Sequence, residues 1–433
     1  MRSKFKVIAA VLVLPWLAIS VFGARYVSAS ELARPTGQQA AQTFTVLMGA
    51  EYFTEQGEKS SWSAYRFYPD KLTINVGDTI VFKHNSGLDP HTATFLGPMT
   101  ELPAFFNLPP GPPQGPPPPK LEVNPQILFP QGGNTYDGSQ FVSSGAMAAD
   151  IPGPHEFSVS FPKAGTYQYI CLVHTEQYPD GTRRPMVGTL TVQAAGSAYP
   201  MTPAQVDAAA KAAIEADRGV ATSSEPKAEE PAVITRASTN GAKIHRVNAG
   251  YYATASNNAD NVDYLRFAPK VLTINAGDTV EWASPTEHGF HNVLFGEEPT
   301  LFNFEPQPAG PPKVYVPTEV FFPLGPNMHN GTGIYSSGII RGSGDPPGPF
   351  SQSYALTFTK PGRYEYICAL HYNQGMDGTI IVQARTDAPG STTVGMPRTG
   401  GGTDWFLPLL SASLLMTLGG LAVRIRKPAH IRK

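Results

Sequence analysis

Short hydrophobic segments, rich in β-branched and aromatic residues, alternate with polar turn sequences along the middle of the chain. Lys71–Asn75 and residues 79–83, 157–161 and 166–172 are examples, and Gly, Pro, Asp and Asn separate them. Segments of this length and composition are typical of strands in a β-sandwich. We therefore predict an all-β protein of Greek-key β-sandwich type.

The pattern occurs twice. Residues 72–75 recur as residues 272–275, and farther along residues 165–171 match residues 362–368. A duplication of this kind gives most positions in one copy an equivalent in the other. We predict two tandem domains, which span residues 43–194 and 244–384.

The sequence between the copies, residues 195–243, is predicted to be a linker with a short helix. Thr202 can cap the helix with Pro203 at its first position, and alanine-rich sequence continues to Arg218, just before Gly219. Residues 223–231 are polar and rich in Pro and Glu, which favours a flexible segment.

Each copy also has a long insertion after its first histidine. The two insertions are related, because residues 105–109 resemble residues 301–304 and both are followed by proline-rich sequence. Loops of this length are usually functional or disordered. Three roles remain open: covering one end of the domain, joining the two domains, or binding a partner.

The two ends of the chain have the composition of export and anchoring sequences. Near the N-terminus, basic residues precede an apolar run and small residues end at Ala29, which predicts a cleaved signal peptide over residues 1–29. Near the C-terminus, residues 405–423 are apolar and long enough to span a bilayer, and the basic residues 424–433 would stay cytoplasmic. We expect the body of the protein to lie outside the membrane, at a cell surface.

A further motif lies in the predicted linker at residues 385–404. Residues 396–400 are Met-Pro-Arg-Thr-Gly. With the apolar segment and basic tail, they resemble a sortase sorting signal of the Gram-positive type, with Met396 where that family usually has Leu. The resemblance implies linkage to the cell wall, and the alternative is a permanent single-span anchor.

Composition narrows the class of protein. The 433 residues include 42 Gly and 43 Pro, only 15% are charged, and the formal net charge is -2. Such a chain is long enough for two or three loop-rich domains. Nothing in this charge balance indicates a nucleic-acid partner.

A cluster of soft and nitrogen ligands stands out in the second copy. Cys368, His371 and Met376 form a Cys-x2-His-x4-Met segment, and His291 lies about eighty residues earlier. These residues resemble those of plastocyanin-like cupredoxins. The resemblance implies a type 1 (blue) copper site in which Cys and two His bind the ion and Met is a weak axial ligand. Thiolate, imidazole and a long thioether contact also suit both copper oxidation states chemically.

The first copy has the same residue types at the matching places. His91, Cys171 and His174 correspond to the second set, and Met186 precedes the strand that also follows Met376. Eleven residues separate His174 from Met186, and this spacer contains the turn sequence Tyr-Pro-Asp-Gly at 178–181. The expected cofactors are therefore two type 1 copper ions per chain.

The two cysteines have two other interpretations, a disulfide and a zinc site. A disulfide is the usual use of two cysteines in an exported protein, but here it would have to join equivalent strands of different domains. Zinc sites usually lack thioether ligands. The histidines without equivalents are expected to be surface residues rather than ligands, although His288 could touch a partner near the copper: His84, His155, His245, His288 and His329.

The resemblance implies an electron carrier that exchanges single electrons with a redox protein donor and acceptor, and the terminal sequences predict that it is exported and surface-anchored. We expect the solvent-facing edge of His174 or His371 to be the electron port. The first alternative is a copper-dependent oxidase or nitrite reductase, but neither cysteine adjoins a histidine and no His-x-His pair occurs. The second is a copper-binding surface scaffold without electron transfer, since ligands alone do not reveal a redox partner.

Overall fold

The computed structural model describes most of the chain between residues 40 and 385. The described ranges are 40–53, 61–107, 120–149, 151–230, 236–237, 241–346 and 350–385. All of them fall in one compact unit that ends at Arg385. The predicted signal peptide, sorting-like motif, transmembrane segment and basic tail lie outside the described residues. Within the described ranges, the structure contains no helix with the length and apolar character needed to cross a membrane.

In the described residues, the N-terminal half has ten strands and one short helix. They are β1 (Thr43–Tyr52), β2 (Trp62–Tyr68), β3 (Lys71–Asn75), β4 (Thr79–His84), β5 (Thr94–Phe95), β6 (Lys120–Glu122), α1 (Pro125–Leu128), β7 (Val142–Ser143), β8 (Glu156–Ser160), β9 (Gly165–Gln177) and β10 (Arg183–Gln193).

A long helix, α2 (Pro203–Ala228), leads into the C-terminal half. Its elements are β11 (Arg236–Ala237), β12 (Lys243–Ala249), β13 (Tyr252–Thr254), β14 (Asp260–Tyr264), β15 (Phe267–Ala268), β16 (Val271–Asn275), β17 (Thr279–Ala283), β18 (Phe290–Phe295), β19 (Asn303–Glu305), β20 (Lys313–Pro317), α3 (Thr318–Phe321), β21 (Pro323–Leu324), β22 (Met328–His329), β23 (Tyr335–Arg341), β24 (Ser353–Phe358), β25 (Gly362–Ile367), a 3-10 helix (Tyr372–Gln374) and β26 (Asp377–Gln383).

The prediction of a mostly β structure is confirmed, and the two halves have matching sheets. In the N-terminal half, one sheet has the order β3-β10-β9-β5-β7, and in the C-terminal half the corresponding order is β16-β26-β25-β18-β23-β21. The facing sheets contain β2-β1-β4-β8 in one half and β12-β17-β24 in the other. Each half encloses its own core, which includes Cys171 and Met186 in the first and Cys368 and Met376 in the second.

The two halves share a sheet. Strand β14, from the C-terminal half, pairs antiparallel with β2, so the sheet has the order β13-β14-β2-β1-β4-β8. Ser63 lies opposite Asp263, its equivalent in the repeat, and Ala64 and Trp62 lie opposite Val262 and Tyr264. The pairing is thus centred on one pair of equivalent residues, with the pairs on either side related by exchange of the halves, which is the pattern of a two-fold, isologous interface.

The two insertions meet in the same way. Strand β6 pairs with β20, and Glu122 lies opposite Tyr315 in this pairing. Around them, hydrophobic side chains from both halves, among them Leu121, Val316 and Phe321, form a common core. Of the three roles left open by the sequence, the structure therefore shows that the described parts of the insertions join the halves.

Helix α2 differs from the prediction. It begins at the predicted cap, because Thr202 Oγ1 accepts a hydrogen bond from the Gln205 amide, but it runs through Gly219 to Ala228 instead of ending at Arg218. The prediction of a flexible segment from residue 223 was wrong for residues 223–228. One face of the helix packs on the shared sheet, and this burial outweighs the low helix propensity of glycine.

A buried ion pair fastens the helix to the strands. Asp217 has no exposed surface, and its Oδ2 lies 2.9 Å from Nη1 of Arg66. The Tyr68 hydroxyl donates to the same carboxylate at 2.8 Å, and the backbone N–H of Ser256 donates to it at 2.8 Å. Because Ser256 belongs to the C-terminal half, this carboxylate connects the helix with both halves.

Candidate metal centres

The strands of the C-terminal half bring three predicted ligands together. His291 lies on β18, and Cys368 directly follows β25. A tight turn then places His371, because its backbone N–H donates to the Cys368 carbonyl at 3.1 Å. Met376 closes the turn: its N–H donates to the His371 carbonyl at 3.1 Å, and its carbonyl accepts from the Cys368 N–H at 3.0 Å.

The resulting site, here called site 2, is compact and buried. The Nδ1 atoms of His291 and His371 lie 3.2 Å apart, and Sγ of Cys368 lies 3.5 Å from Nδ1 of His371. The ligand atoms of all three residues lie within 4.8 Å of one another. His291 and Cys368 have no exposed surface, and His371 is 7% exposed. Three donor atoms therefore converge on one point inside the protein.

The N-terminal half builds the same arrangement, here called site 1. Cys171 and His174 lie on β9, and His91 forms an antiparallel bridge with Met147. The two Nδ1 atoms lie 3.1 Å apart, and Sγ of Cys171 lies 3.6 Å from Nδ1 of His174 and 3.9 Å from Nδ1 of His91. Both cysteines are free, which excludes the disulfide interpretation for this structure.

The residue after the first histidine holds each cysteine in place. The backbone N–H of Thr92 donates to Sγ of Cys171 at 3.3 Å, and that of Asn292 donates to Sγ of Cys368 at 3.4 Å. Their side-chain oxygens accept the N–H of Leu172 and Ala369, the residues after the cysteines, at 2.8 and 2.7 Å. The cysteine backbone and sulfur are thus oriented by the segment that carries the first histidine.

Both predicted methionines are completely buried in the core that contains their cysteine. The longer spacer of site 1 extends strands β9 and β10 as a hairpin, with Arg184 opposite Glu176, and its predicted turn forms at Tyr178–Gly181 through a 2.9 Å hydrogen bond. The register shifts between Pro185 and Val187, so Met186 lies in a β-bulge. A bulge can re-aim one side chain, and here it lets a long hairpin keep Met186 inside.

A glycine packs against the first histidine of each site, His91 in site 1 and His291 in site 2, and no other residue fits there. Gly49 and Gly250 have φ values of +72° and +73°, and a Cβ added there would lie 2.1 and 2.0 Å from Nε2 of His91 and His291. Any side chain would displace the imidazole ring. The ring positions are therefore set by close backbone contact as well as by hydrogen bonds.

The two sites differ on the outer side of the first histidine. Nε2 of His91 lies 2.9 Å from the Ser86 hydroxyl, whereas Nε2 of His291 lies 3.2 Å from Oδ1 of Asp263, which is fully buried. Burial lowers the pKa of His91. Burial also acts to lower the pKa of His291, but the Asp263 charge outweighs it and raises that pKa to about 10. Site 2 therefore has a charged partner where site 1 has a neutral one.

The thiols differ accordingly. Burial raises the pKa of Cys171. Burial acts in the same direction on Cys368, but the charge of His371 and hydrogen bonds from both histidines outweigh it and lower that pKa to about 5. The pKa of His91 is lowered by burial and that of His291 is raised by Asp263, so the two thiols face imidazole pairs of different charge.

The two expected electron ports differ in their exposure to solvent. His371 is buried, and His174 is half-buried on the wall of a cavity of about 640 Å³ between the halves. The cavity walls in the described part of the chain are mainly apolar and come from both halves, for example Phe105, Leu172, Phe290 and Leu370. The expectation of a solvent-facing histidine edge is therefore wrong for His371, whereas the side chain of His174 keeps some exposure on the cavity wall.

The remaining histidines are not all surface residues. His155 is exposed as expected, but His329 is 4% exposed and stacks on Tyr335 at 4.1 Å between ring centroids. His245 lies 3.2 Å from Asp278, and Nδ1 of His288 lies 2.7 Å from Asp345. In the described ranges, the residue groups with three clustered metal-binding side chains are sites 1 and 2, and they include none of these histidines.

Comparison with known proteins decides the family. The family model for copper-binding proteins of the plastocyanin/azurin family matches residues 253–383. The chain is 30% identical over 142 residues to the chloroplastic plastocyanin of Tetradesmus obliquus, an alignment that covers 31% of this chain and 74% of that protein. It is 30% identical over 120 residues to a plastocyanin of Scenedesmus fuscus, covering 28% and 88%. The chain belongs to the plastocyanin/azurin family of copper-binding proteins.

Similar solved structures include two cupredoxins. The pseudoazurin from Hyphomicrobium denitrificans is 22% identical, with 32% of this chain and 74% of that chain covered and a TM-score of 0.17. The oxidized plastocyanin from Dryopteris crassirhizoma is 19% identical, with 32% and 99% covered and a TM-score of 0.17.

The donor atoms in this plastocyanin/azurin-family protein fit copper. Each site offers two imidazole nitrogens and one thiolate sulfur in a buried triangle, with a buried methionine in the same core. Trigonal His2Cys sites with a weak axial thioether suit copper in electron-transfer proteins, whereas structural zinc sites are closed by four Cys or His ligands. His91, Cys171 and His174 would hold one ion, and His291, Cys368 and His371 the other.

Sequence reasoning missed the residues around the ligands of this cupredoxin. Asp263, Ser86 and Tyr65 contact ligand histidines; Asp263 and Tyr65 lie far in the sequence from the histidines that they contact, and Ser86 lies five residues before His91. One signal was present: Asp263 is an acidic residue within a short strand and matches Ser63 in the repeat. Its contact with a metal ligand depends on strand pairing between the halves.

Proposed function

We propose that this protein is an exported, surface-anchored electron carrier with two type 1 copper sites, one in each of two tandem cupredoxin domains. The observation that carries the proposal is the duplicated, buried His2Cys cluster with its methionine. The similarity to plastocyanins supports electron transfer. The domains correspond to residues 43–194 and 244–384, with β14 exchanged into the neighbouring sheet.

Copper bound at these sites supplies a one-electron couple between Cu(I) and Cu(II). The chain's own contribution is a rigid ligand set. The backbone N–H groups of Thr92 and Asn292 donate to the cysteine sulfurs. The backbone at Gly49 and Gly250 packs closely against the rings of His91 and His291. Because these contacts come from paired strands, the ligand positions change little when charge changes, which keeps the cost of reorganisation low.

The proposed route for electrons to and from site 1 runs through the edge of His174. This side chain lies on the wall of the cavity between the halves, with the apolar side chains of Leu172, Val173 and Leu370 also on that wall. An apolar wall around a ligand edge excludes water and suits contact with a redox partner. A redox protein donor and acceptor are proposed, with access through the mouth of this cavity.

Export and anchoring rest on the terminal sequences. The signal peptide at residues 1–29, the apolar segment at 405–423 and the basic tail at 424–433 would place both copper domains outside the membrane. The motif at residues 396–400 would allow covalent attachment to a cell wall.

The test is a metal count on the full-length, copper-reconstituted protein. It should hold two coppers per chain and show the intense visible absorption of type 1 sites. Cys171→Ser and Cys368→Ser should each remove about half of that absorption, because each thiolate is the source of one band. One copper per chain, or two single variants that keep the full absorption, would refute the two-site proposal.

Oxygen uptake with a phenolic substrate tests the oxidase alternative on the same samples. We expect no sustained turnover, since Ile170 and Leu172 flank Cys171 and no histidine adjoins either cysteine to reach a second copper. Turnover that survives purification would favour an oxidase.

A further inference from the structure

We propose that Tyr65 and Asp263 connect the two metal sites and carry electron exchange between them. The inference rests on the proposed function, since it requires copper at both sites. It goes beyond that function because it makes the chain a two-centre relay in place of two independent carriers.

The first step of the connection joins Tyr65 to site 1. Its ring stacks on the imidazole of His174, with 4.1 Å between centroids and 9° between planes. Tyr65 is 3% exposed, so water is largely excluded from this contact. Nearly parallel rings at this centroid distance are stacked in van der Waals contact, which gives close electronic contact with a site 1 ligand.

The second step joins Tyr65 to site 2. The Tyr65 hydroxyl donates a hydrogen bond to Oδ2 of Asp263 at 3.1 Å, and Oδ1 of Asp263 lies 3.2 Å from Nε2 of His291. Asp263 and His291 have no exposed surface. Tyr65 and Asp263 thus form a continuous series of contacts between ligands of different sites. The series starts at the His174 ring of site 1 and ends at the His291 ring of site 2.

The shared sheet makes this chain of contacts rigid. Tyr65 lies on β2 and Asp263 on β14, and these strands pair directly across the two-fold relationship between the halves. The contacts therefore depend on backbone hydrogen bonds rather than on flexible loops. A hydrogen-bonded network between paired strands is a fixed part of the fold.

The connection occurs once, although the halves are related by a repeat. The positions equivalent to Tyr65 and Asp263 are Leu265 and Ser63. Leucine has no hydroxyl and no π system, so it cannot repeat the contact with the other histidine pair. The contact series through Tyr65 and Asp263 therefore has no symmetry-related counterpart through Leu265 and Ser63.

A second contact between the halves offers an alternative path for electron exchange between the two sites. Nε2 of Gln374, in the turn that carries His371, donates to Oδ1 of Asp89 at 2.6 Å, and Asp89 precedes His91 by two residues. This route runs mostly along the backbone, from His371 to Gln374 and from Asp89 to His91. Because it has many more covalent steps, we assign the exchange to Tyr65 and Asp263.

The exchange moves one electron and no atoms. An electron leaves Cu(I) at one site, which becomes Cu(II), and reduces Cu(II) at the other site to Cu(I). No bond forms or breaks, and the Tyr65 hydroxyl keeps its proton. The total charge of the protein is unchanged, so no further oxidant or reductant is needed.

The test uses the full-length protein loaded with copper. Single-site variants Cys171→Ser and Cys368→Ser first assign the visible band, the EPR signal and the midpoint potential of each site. A pulse of radical reductant then reduces less than one copper per chain. A redistribution between sites whose rate does not depend on protein concentration reports transfer within the chain.

Tyr65→Phe is the decisive variant, and Tyr68→Phe is its matched control. Both tyrosines are buried on β2 and donate to a buried carboxylate, but Tyr68 donates to Asp217 and is not among the ring contacts of either histidine pair. We expect a severalfold slower exchange in Tyr65→Phe and a wild-type rate in Tyr68→Phe, compared at the driving force measured for each variant. Spectra of both sites should match wild type in Tyr65→Phe, and its metal-free thermal midpoint should fall no further than that of Tyr68→Phe, since each variant leaves a buried carboxylate without one donor. A merely structural role would not separate the two variants in exchange rate.

The outcomes separate the two proposals. Fewer than two coppers per chain would refute the proposed function and this inference together. Two coppers with equal exchange rates in Tyr65→Phe and wild type would overturn the inference alone. A Gln374→Leu variant that slows exchange as much as Tyr65→Phe would also overturn it, because the route would then pass through Asp89.

Discussion

Asp263 lies 3.2 Å from the outer nitrogen of His291, and no water-accessible surface remains on either residue. At the equivalent place in site 1, His91 meets the hydroxyl of Ser86. A buried carboxylate on a ligand imidazole makes that ligand more basic and stabilises the higher charge of Cu(II). The two coppers are therefore expected to differ in midpoint potential, with site 1 the higher.

The first prediction is that Asp263→Asn raises the potential of site 2. Loss of one buried negative charge near the ion should destabilise Cu(II) by on the order of 1–3 kcal/mol, or roughly 40–130 mV for one electron. A redox titration of the variant in a Cys171→Ser background measures it. Ser86→Ala in a Cys368→Ser background is the control and should shift site 1 much less. Equal potentials in both wild-type sites would contradict this account.

Two arginines beside Met186 offer another reason for a higher potential at site 1. Arg183 and Arg184 lie close to Met186 in the sequence, and positive charges near the ion would favour its reduced state. In the structure Arg184 lies over the ring of Tyr178 at 3.9 Å, and Arg183 donates to the carbonyl of Thr100. Both guanidinium groups therefore make contacts along the hairpin. We attribute the expected difference in midpoint potential to Asp263.

The second prediction concerns the axial ligands. Met186→Leu should keep copper at site 1 but raise its potential by on the order of 1 kcal/mol, or about 45 mV, because loss of a thioether donor destabilises Cu(II). Met376→Leu should do the same at site 2 and is the internal comparison. A potential that does not change in Met186→Leu would show that the hairpin bulge does not deliver this thioether to the ion.

The third prediction is that Asp217→Ala strongly destabilises the protein. The substitution leaves the buried Arg66 guanidinium without its closest carboxylate and removes the acceptor of Tyr68, which should cost about 3–5 kcal/mol of unfolding free energy. Thermal or urea unfolding of the metal-free protein measures it. Glu215→Ala, in an exposed pair with Arg218 on the same helix, should stay within about 0.5 kcal/mol of wild type. Similar losses in both variants would contradict the role assigned to the helix.

The fourth prediction tests access through the cavity. Leu102→Trp places a larger side chain on the cavity wall and should slow reduction of site 1 by a small hydroquinone, while the potential of site 1 stays unchanged. Leu324→Trp is the control, because Leu324 is 45% exposed and is not part of that wall. Stopped-flow reduction of the Cys368→Ser protein reports the rate. Equal rates in both variants would show that reductants reach His174 by another route.

The sequence by itself determined the local elements and the ligand sets. Turn residues and β-branched segments predicted the strands, the repeat gave each ligand an equivalent, and a Cys and His three positions apart on one strand end converge by local geometry. Even the long spacer before Met186 could be interpreted, since its turn sequence at Tyr178–Gly181 forms as predicted. These features are local in sequence or repeated within it.

Only the tertiary structure decided how the halves meet. The exchange of β14 into the first sheet, the pairing of β6 with β20 and the extension of α2 past Gly219 all depend on contacts between segments far apart in the chain. Those contacts bring Asp263 to His291 and Tyr65 to both sites. Propensity and spacing act over a few residues, whereas the choice of strand partner is made by burial of surfaces from both copies, so the link between the sites was visible only in the folded chain.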